Sequence, residues 1–392
     1  MTAATGARSL VFGVGFSPTK PLLPTHLKGL IWLDLALRAT RAVVPVDCIA
    51  NATRALWDAT IQCIRFWAAL DADPATSSPR YFDDKDDTWI GEEYVRKSRA
   101  PAEVSPELLA AYRGRLERGW THPSARRILE HWQAQYEVMG ITTPRAELTS
   151  AAAPPSAEIV EQLRRLDCAI DLRPWSGGVY VDATAAGLPL RPLIDELGRE
   201  NYLMQILGVV LGLAGAYDRI SILYDAPTAL DFRIVAQVLS RLGKRALLIE
   251  AERIDTPGIA GTSRAGGWKP CTCAAILERY VPRYPLEVVR LGLRLYFIMY
   301  VPLASKAEFS YDLLDRAMRK ARAVSRAIER AGAAPSAPPE EIASVVEPLT
   351  RRRFFERVGL IDPHALLSLL LSANSLRHHG AVLRSLCAWE AP

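Results

Sequence analysis

Three cationic side chains, Lys20, His26 and Lys28, fall within nine residues near the start of the chain. They follow an apolar run, Ser9 to Phe16, that reads as a buried strand. A proline-rich turn comes next, and His26 then opens an apolar-periodic segment through Arg41 that reads as a helix. Strand, tight turn and helix N-terminus gather backbone N–H groups, an imidazole and two ammonium groups, a setting for a phosphate chain. Gly13 and Gly15 invite a dinucleotide fingerprint, but the third glycine position holds Pro18, which excludes it. A second group of polar residues, Thr262, Ser263, Arg264 and Gly266, lies in the stretch Asp255 to Lys269. Five residues of that stretch are Gly or Pro, which predicts a mobile loop.

The elements that must position these groups alternate in type. Val43 to Ala50 is a second apolar run, so the first 50 residues read as one parallel strand–helix–strand crossover. Ala52 to Leu70 has helical periodicity and several aromatic residues, as a core-facing helix would. Asp71 to Val104 is polar and acidic and reads as a surface insertion. Ser105 to Gly140 is helical, with Ser-Pro at its start and Gly140 as a C-cap, and Ala151 to Ala157 is a short linker. From Asn201 a helix, a strand (Asp218 to Ala226), a helix (Leu230 to Leu242) and a strand (Arg245 to Ile254) repeat the first pattern. Gly332 to Pro339 is a linker, and the last fifty residues are helical with a basic Arg351-Arg352-Arg353 run.

The stretch P-L-L-P-T-H-L-K-G resembles the first signature of class I aminoacyl-tRNA synthetases, usually written P-L-H-I-G-H-L-R-G. Lys20-Pro21 and Asp34 are similar to the arginyl branch, while Leu23 replaces the first histidine and Thr25 the glycine. Gly261 to Gly266, G-T-S-R-A-G, resembles the second signature in its arginyl form, M-S-T-R-K-G-N, without the lysines. Asp231-Phe232 stands where the family has a His-Phe pair, and Pro285 to Ala327 looks like the stem-contact segment. The resemblance runs with gaps from Ser9 to about Ala331, with both signatures in the right order on the right elements.

That resemblance implies an α/β fold: a doubly wound, parallel, Rossmann-like nucleotide-binding sheet with a helical insertion and a short helical C-terminal domain. Its segments would be residues 1–70 and 201–284 for the two sheet halves, 71–200 for the insertion, and 285–392 for the stem contact and C-terminal helices. It implies ATP and Mg2+ as cofactors, and activation of an amino acid as an aminoacyl-adenylate. The eroded signatures and short RNA-binding end favour transfer to a small-molecule amine or a dedicated tRNA in a biosynthetic pathway. His26, Lys20 and Arg264 take the catalytic roles. Ser17, Thr19, Lys28, Gly29, Asp231, Thr262, Ser263 and Gly266 take ATP, and Asp34, Tyr202, Gln205 and Asp225 the amino acid. Other readings stay open: His26 as a locally satisfied helix residue, Tyr202 and Gln205 as helix-surface residues. The alternative for the whole chain is a catalytically inactive synthetase-like module that binds tRNA or a protein.

Bulk properties set the outer bounds. A chain of 392 residues suggests two or three domains, and 49% hydrophobic with 23% charged residues is ordinary globular composition. A net charge of +5 permits a nucleic-acid partner without demanding one, and no DNA partner is expected. Six irregularly placed cysteines argue for a reducing interior rather than a disulfide framework, and Cys271 and Cys273 lack zinc spacing. No metal cluster, signal peptide or membrane span is expected, since Leu203 to Ala216 is too short to cross a bilayer. Cytoplasmic residence is the default.

Overall fold

The computed structural model describes residues 8–13, 15–49, 60–99, 104–141, 154–256 and 268–387. Strand β1 (Ser9–Phe12), helix α1 (Pro24–Arg41) and strand β2 (Val46–Ile49) open the chain. Helices α2 (Ile61–Asp71), α3 (Asp87–Ser98), α4 (Pro106–Glu117), α5 (Pro123–Met139) and α6 (Ser156–Arg165) follow. Strands β3 (Ala169–Asp171), β4 (Val179–Val181) and β5 (Arg191–Ile194) then precede helix α7 (Tyr202–Ala214), strand β6 (Arg219–Asp225), helix α8 (Ala229–Arg241) and strand β7 (Arg245–Ala251). The remainder holds β8 (Ile254–Asp255), α9 (Cys273–Tyr280), α10 (Leu286–Arg294), β9 (Ala307–Glu308) and α11 (Tyr311–Arg330). Five further helices lie between Pro339 and Leu386. Among the described residues no helix is long and apolar enough to cross a membrane.

The main sheet has the order β2-β1-β6-β7, and β1 and β6 pair in parallel with Phe12 opposite Ile222. Strands from the first half of the chain lie to one side and those from the second half to the other. The order therefore reverses between β1 and β6, and the carboxyl ends of those strands form a topological switch point. This is the α/β, doubly wound architecture expected.

The chain divides into two compact units, one of Met1–Pro21, Cys48–His131 and Pro144–Leu248, the other of Leu22–Asp47, Trp132–Thr143 and Ile249–Pro392. In the first, Leu10 and Phe12 of β1 and Ile220, Ile222 and Tyr224 of β6 share one sheet face by their period of two. Leu203, Met204, Leu207 and Val210 of α7 and Ile159, Val160 and Leu163 of α6 complete that core. The α7 start is set by Asn201, whose side-chain oxygen accepts from the Leu203 and Met204 amides at 2.8 and 3.3 Å. In the second unit α10 and α11 pack together, with the Met318 thioether occupying space that a Cβ at Gly292 would need.

Two local expectations are corrected. Asp71 to Val104 is not merely a polar surface insertion, because α3 forms there on an Asp86 N-cap and buries Ile90, Tyr94 and Val95. The stretch before Asn201 holds an antiparallel sheet, β3-β4-β5, besides its helices. Its strands are three or four residues long, too short for alternation to stand out in sequence. Gly140 does close α5 in the left-handed region, at φ +64°.

An aromatic cage in the first unit holds His122. Its ring stacks on Trp67 at 5.4 Å and meets Trp120 and Phe82 edge-on. The Ser124 backbone N–H donates to Nδ1 at 3.1 Å, so Nδ1 carries a lone pair and the ring proton sits on Nε2, 3.3 Å from Asp71 Oδ1. Burial pushes the His122 pKa below its ordinary value, with Asp71 pulling the other way. The unfolded chain therefore binds this proton more readily than the fold does. The stabilising contribution is full above about pH 6.5 and is lost as pH falls below it. Thermal melting should give a flat Tm from pH 8 to 7 and a decline below about pH 6.5. His122→Phe should flatten that decline, and an unchanged slope would assign the titration to another group.

Candidate functional site

Leu23 is the N-cap of α1 but has no acceptor in its side chain, so the usual cap bond is missing. The reverse half of a capping box takes its place: the Leu23 amide donates to His26 Nδ1 at 3.1 Å. A backbone N–H only donates, so the neutral imidazole carries its proton on Nε2. That is the tautomer that offers a hydrogen-bond donor to an anionic oxygen.

The same turn grips both roots of the second loop. The Thr25 hydroxyl donates to the Ile254 carbonyl at 2.8 Å and accepts from the Ile254 amide at 3.1 Å. Lys28 is 0% exposed, and its ammonium donates to the carbonyls of Glu252 at 2.9 Å and Ser305 at 2.7 Å. On the far side of the loop, the Cys273 amide donates to the Leu22 carbonyl at 2.8 Å. Leu22, Thr25 and Lys28 thus tie the start of α1 to the chain entering and leaving the segment with the second signature. Thr262, Ser263, Arg264 and Gly266 lie in that segment, outside the described residues.

Farther along α1, Asp34 is buried in an ion network. Arg294, itself 0% exposed, meets Asp34 Oδ2 at 2.6 Å, and Arg38 Nε meets Oδ1 at 3.0 Å. The guanidiniums also collect the carbonyls that end α5. Arg290 takes Glu137 and Val138 at 2.9 and 3.0 Å, Arg294 takes Met139 at 3.1 Å, and Arg38 takes Gly140 at 2.9 Å. Three cations at a helix C-terminus are favoured by its dipole. Burial, then the charges of Arg294 and Arg38, lowers the Arg290 pKa. Gly29 is buried on the same helix.

In the first unit, Thr19 is buried, and its amide donates to the Ser17 carbonyl at 2.8 Å; Lys20 is half-buried. Asp231, near the start of α8, is held in a bidentate pair by Arg191 of β5 at 2.7 and 3.1 Å. Tyr202 and Gln205 are half-buried in the first turn of α7, and Asp225 ends β6, where its carbonyl accepts from the Thr228 hydroxyl at 2.8 Å. The structure thus puts Asp225 at the carboxyl end of a sheet strand, the edge where such sheets bind ligands.

Sequence reading passed over several residues. Thr25 looked like the loss of a glycine, yet its hydroxyl both donates to and accepts from one backbone residue. Arg191, Arg290 and Arg294 gave no motif; two arginines four apart on an otherwise apolar stretch were the only signal of a buried ion network. Among the described residues no group of three or more His, Cys, Asp or Glu gathers as metal ligands.

A parallel sheet with a switch point, and a strand–turn–helix that holds the roots of a second loop, make a class I synthetase-like fold. Among solved structures, the chain is similar to the Thermus thermophilus arginyl-tRNA synthetase, with a TM-score of 0.62 and 16% identity over 97% of this chain and 80% of that one. It is also similar to a putative arginyl-tRNA synthetase from Campylobacter jejuni, at 0.53 and 15% over 98% and 84%. For the Plasmodium falciparum arginyl-tRNA synthetase the figures are 0.56 and 11% over 97% and 76%. No protein-family model matches the sequence, and no curated protein matches it.

Breaking one side of the buried ion network leaves a charge without its partner. Asp34→Asn or Arg294→Met should each lower the unfolding free energy by about 3–5 kcal/mol, read by denaturant melts. The double variant Asp34→Asn, Arg294→Met should lose clearly less than the sum. Additive losses would mean that the two side chains act independently.

Proposed function

We propose that the chain is an ATP-dependent ligase that activates an amino acid as an aminoacyl-adenylate. The observation that carries the reading is the grip of Leu22, Thr25 and Lys28 on both roots of the second loop. It ties the chain on either side of the second signature-like segment to the N-terminus of the helix that carries the first, with Thr25 and Asp255 lying 230 residues apart in sequence. The synthetase-like fold supports it. The identities of 11–16% to the solved structures speak for the fold alone, so substrate and acceptor remain part of the proposal.

In this reading the amino acid's carboxylate oxygen attacks the α-phosphorus of ATP in line. The bond from that phosphorus to the bridging oxygen breaks, and pyrophosphate leaves with the electron pair. His26 donates from Nε2–H to an α-phosphoryl oxygen, whose charge grows in the transition state. The Lys20 ammonium neutralises phosphate charge from the preceding turn, with Ser17 and Thr19 beside it. Arg264, Thr262, Ser263 and Gly266 close over the pyrophosphate. Mg2+ would come with the nucleotide and would add positive charge beside its phosphates, next to Lys20 and His26. Tyr202, Gln205 and Asp225 hold the amino acid's polar end. Lys28, Asp34 and Asp231 make buried ties to backbone carbonyls or arginines, so their part is to position the turn, helix and strand around them.

The acceptor in this reading is a small-molecule amine or a dedicated tRNA. Arg351, Arg352 and Arg353 are exposed at the start of the helix Arg353–Val358, available to RNA phosphates or to solvent. The second reading, a binding module without turnover, draws on Leu23 and Thr25, which replace a signature histidine and glycine.

Amino-acid-dependent exchange between ATP and pyrophosphate decides. His26→Ala should lower the exchange rate by roughly 10²-fold, about 2.7 kcal/mol, with a much smaller change in ATP affinity. Equal rates in the two proteins, at matched thermal stability, would move the active site elsewhere. No exchange with any amino acid, joined to tight tRNA or protein binding, would establish the binding module.

A further inference from the structure

An apolar cavity sits at the carboxyl ends of the sheet strands in the first unit. Phe12 ends β1, Ile49 ends β2, and Ile222 of β6 stands opposite Phe12 in the parallel register. Ile206 and Val209 of α7 and Phe232 of α8 close it. No lining residue has a charged or hydrogen-bonding side chain, and the Gly13 amide at the rim already donates to the Ile49 carbonyl at 2.8 Å. The cavity volume is about 10 Å³, room for about one water-sized group. A cavity this small with only apolar walls stays dry.

Its place in the fold is what distinguishes it from a packing void. The cavity adjoins the switch point between β1 and β6, where doubly wound sheets bind ligands. On α7, Tyr202, Gln205, Ile206 and Val209 follow helical spacing of three and four, so they lie along one face. The residues proposed to hold the amino acid's polar end therefore lead directly to the residues that wall the cavity.

We propose that this cavity receives the side chain of the activated amino acid, and that the side chain is small and aliphatic. The inference rests on the adenylating reading above and adds the substrate class. A methyl group exchanges water for the Phe12, Ile206, Val209 and Ile222 side chains. A guanidinium, ammonium or carboxylate would lose its water with no partner in exchange, and a long side chain would not fit.

The test uses the full chain and calorimetry with aminoacyl-sulfamoyl adenosines carrying alanyl, valyl or argininyl groups, and ATP alone as a separate probe. The alanyl analogue should bind about 10²-fold or more tightly than the argininyl one, and more tightly than the valyl one. Val209→Ile, which adds one methylene to the space, should weaken the alanyl analogue at least ~10-fold. If that variant does not fold, Ile206→Val, which enlarges the cavity, should shift preference from alanyl toward valyl by several-fold. Argininyl binding as tight as aliphatic binding, or no discrimination among side chains, would reduce the cavity to a packing void and overturn the proposal. ATP binding with no analogue bound would overturn the cavity proposal alone. Failure of ATP and every analogue together would overturn the adenylating reading and this inference with it.

Discussion

Two buried guanidiniums and one half-buried one converge on the carbonyls that end α5, with Asp34 as their counter-ion. The arrangement answers two problems at once. The last carbonyls of a helix have no partner inside it, and buried arginines need acceptors for all their donors. Each supplies what the other lacks. Because Asp34 and Arg38 belong to α1, the network also holds the helix whose first turn carries His26. Arg290 and Arg294 anchor α10 to the same point, and α10 packs on α11. The second unit is organised from this charged centre as much as from its apolar contacts.

The first turn of α1 shows how side chains take over from a missing cap. Leu23 offers the helix start no acceptor, and His26 compensates by accepting the Leu23 amide. One consequence is chemical, since that bond decides which ring nitrogen holds the proton. Ser124 does the same to His122 in the first unit, there to satisfy a core histidine between Trp67 and Asp71. The same kind of bond, a backbone N–H donating to Nδ1, therefore serves a candidate catalytic group in one place and plain packing in another. What separates the two histidines is their surroundings: His122 is caged by aromatic rings, whereas His26 stands at a helix N-terminus beside the roots of a second loop.

Thr25 and Lys28 illustrate how a departure from a signature can still serve its geometry. A glycine in the position of Thr25 would leave the Ile254 amide and carbonyl to find other partners. The hydroxyl satisfies both. Lys28 buries its ammonium between two carbonyls, an arrangement in which each charged hydrogen bond replaces one to water. Both residues hold the same loop root, so the turn keeps its relation to the second segment by means its letters do not advertise.

The alternation of strands and helices in the two sheet halves, the helix starting at the proline-rich turn and the Gly140 cap were legible in the sequence. They depend on periodicity, turn residues and local sterics, which act over a few neighbouring positions. His26, Tyr202, Gln205 and Asp225 were marked out by the resemblance to class I synthetases, on elements that the periodicity had placed. The partners of Lys28, Asp34 and Asp231 were not legible. Each is a charged residue whose letter reads equally as ligand contact or buried tie, and the choice depends on residues 40 to 277 positions away. The antiparallel β3-β4-β5 sheet was hidden because its strands are too short for a pattern of two. The cavity lining was hidden because Phe12, Ile49, Ile206 and Ile222 look like any core residues until the sheet register sets them side by side. Local pattern is written along the chain; charge pairing and cavity shape exist only once distant segments meet.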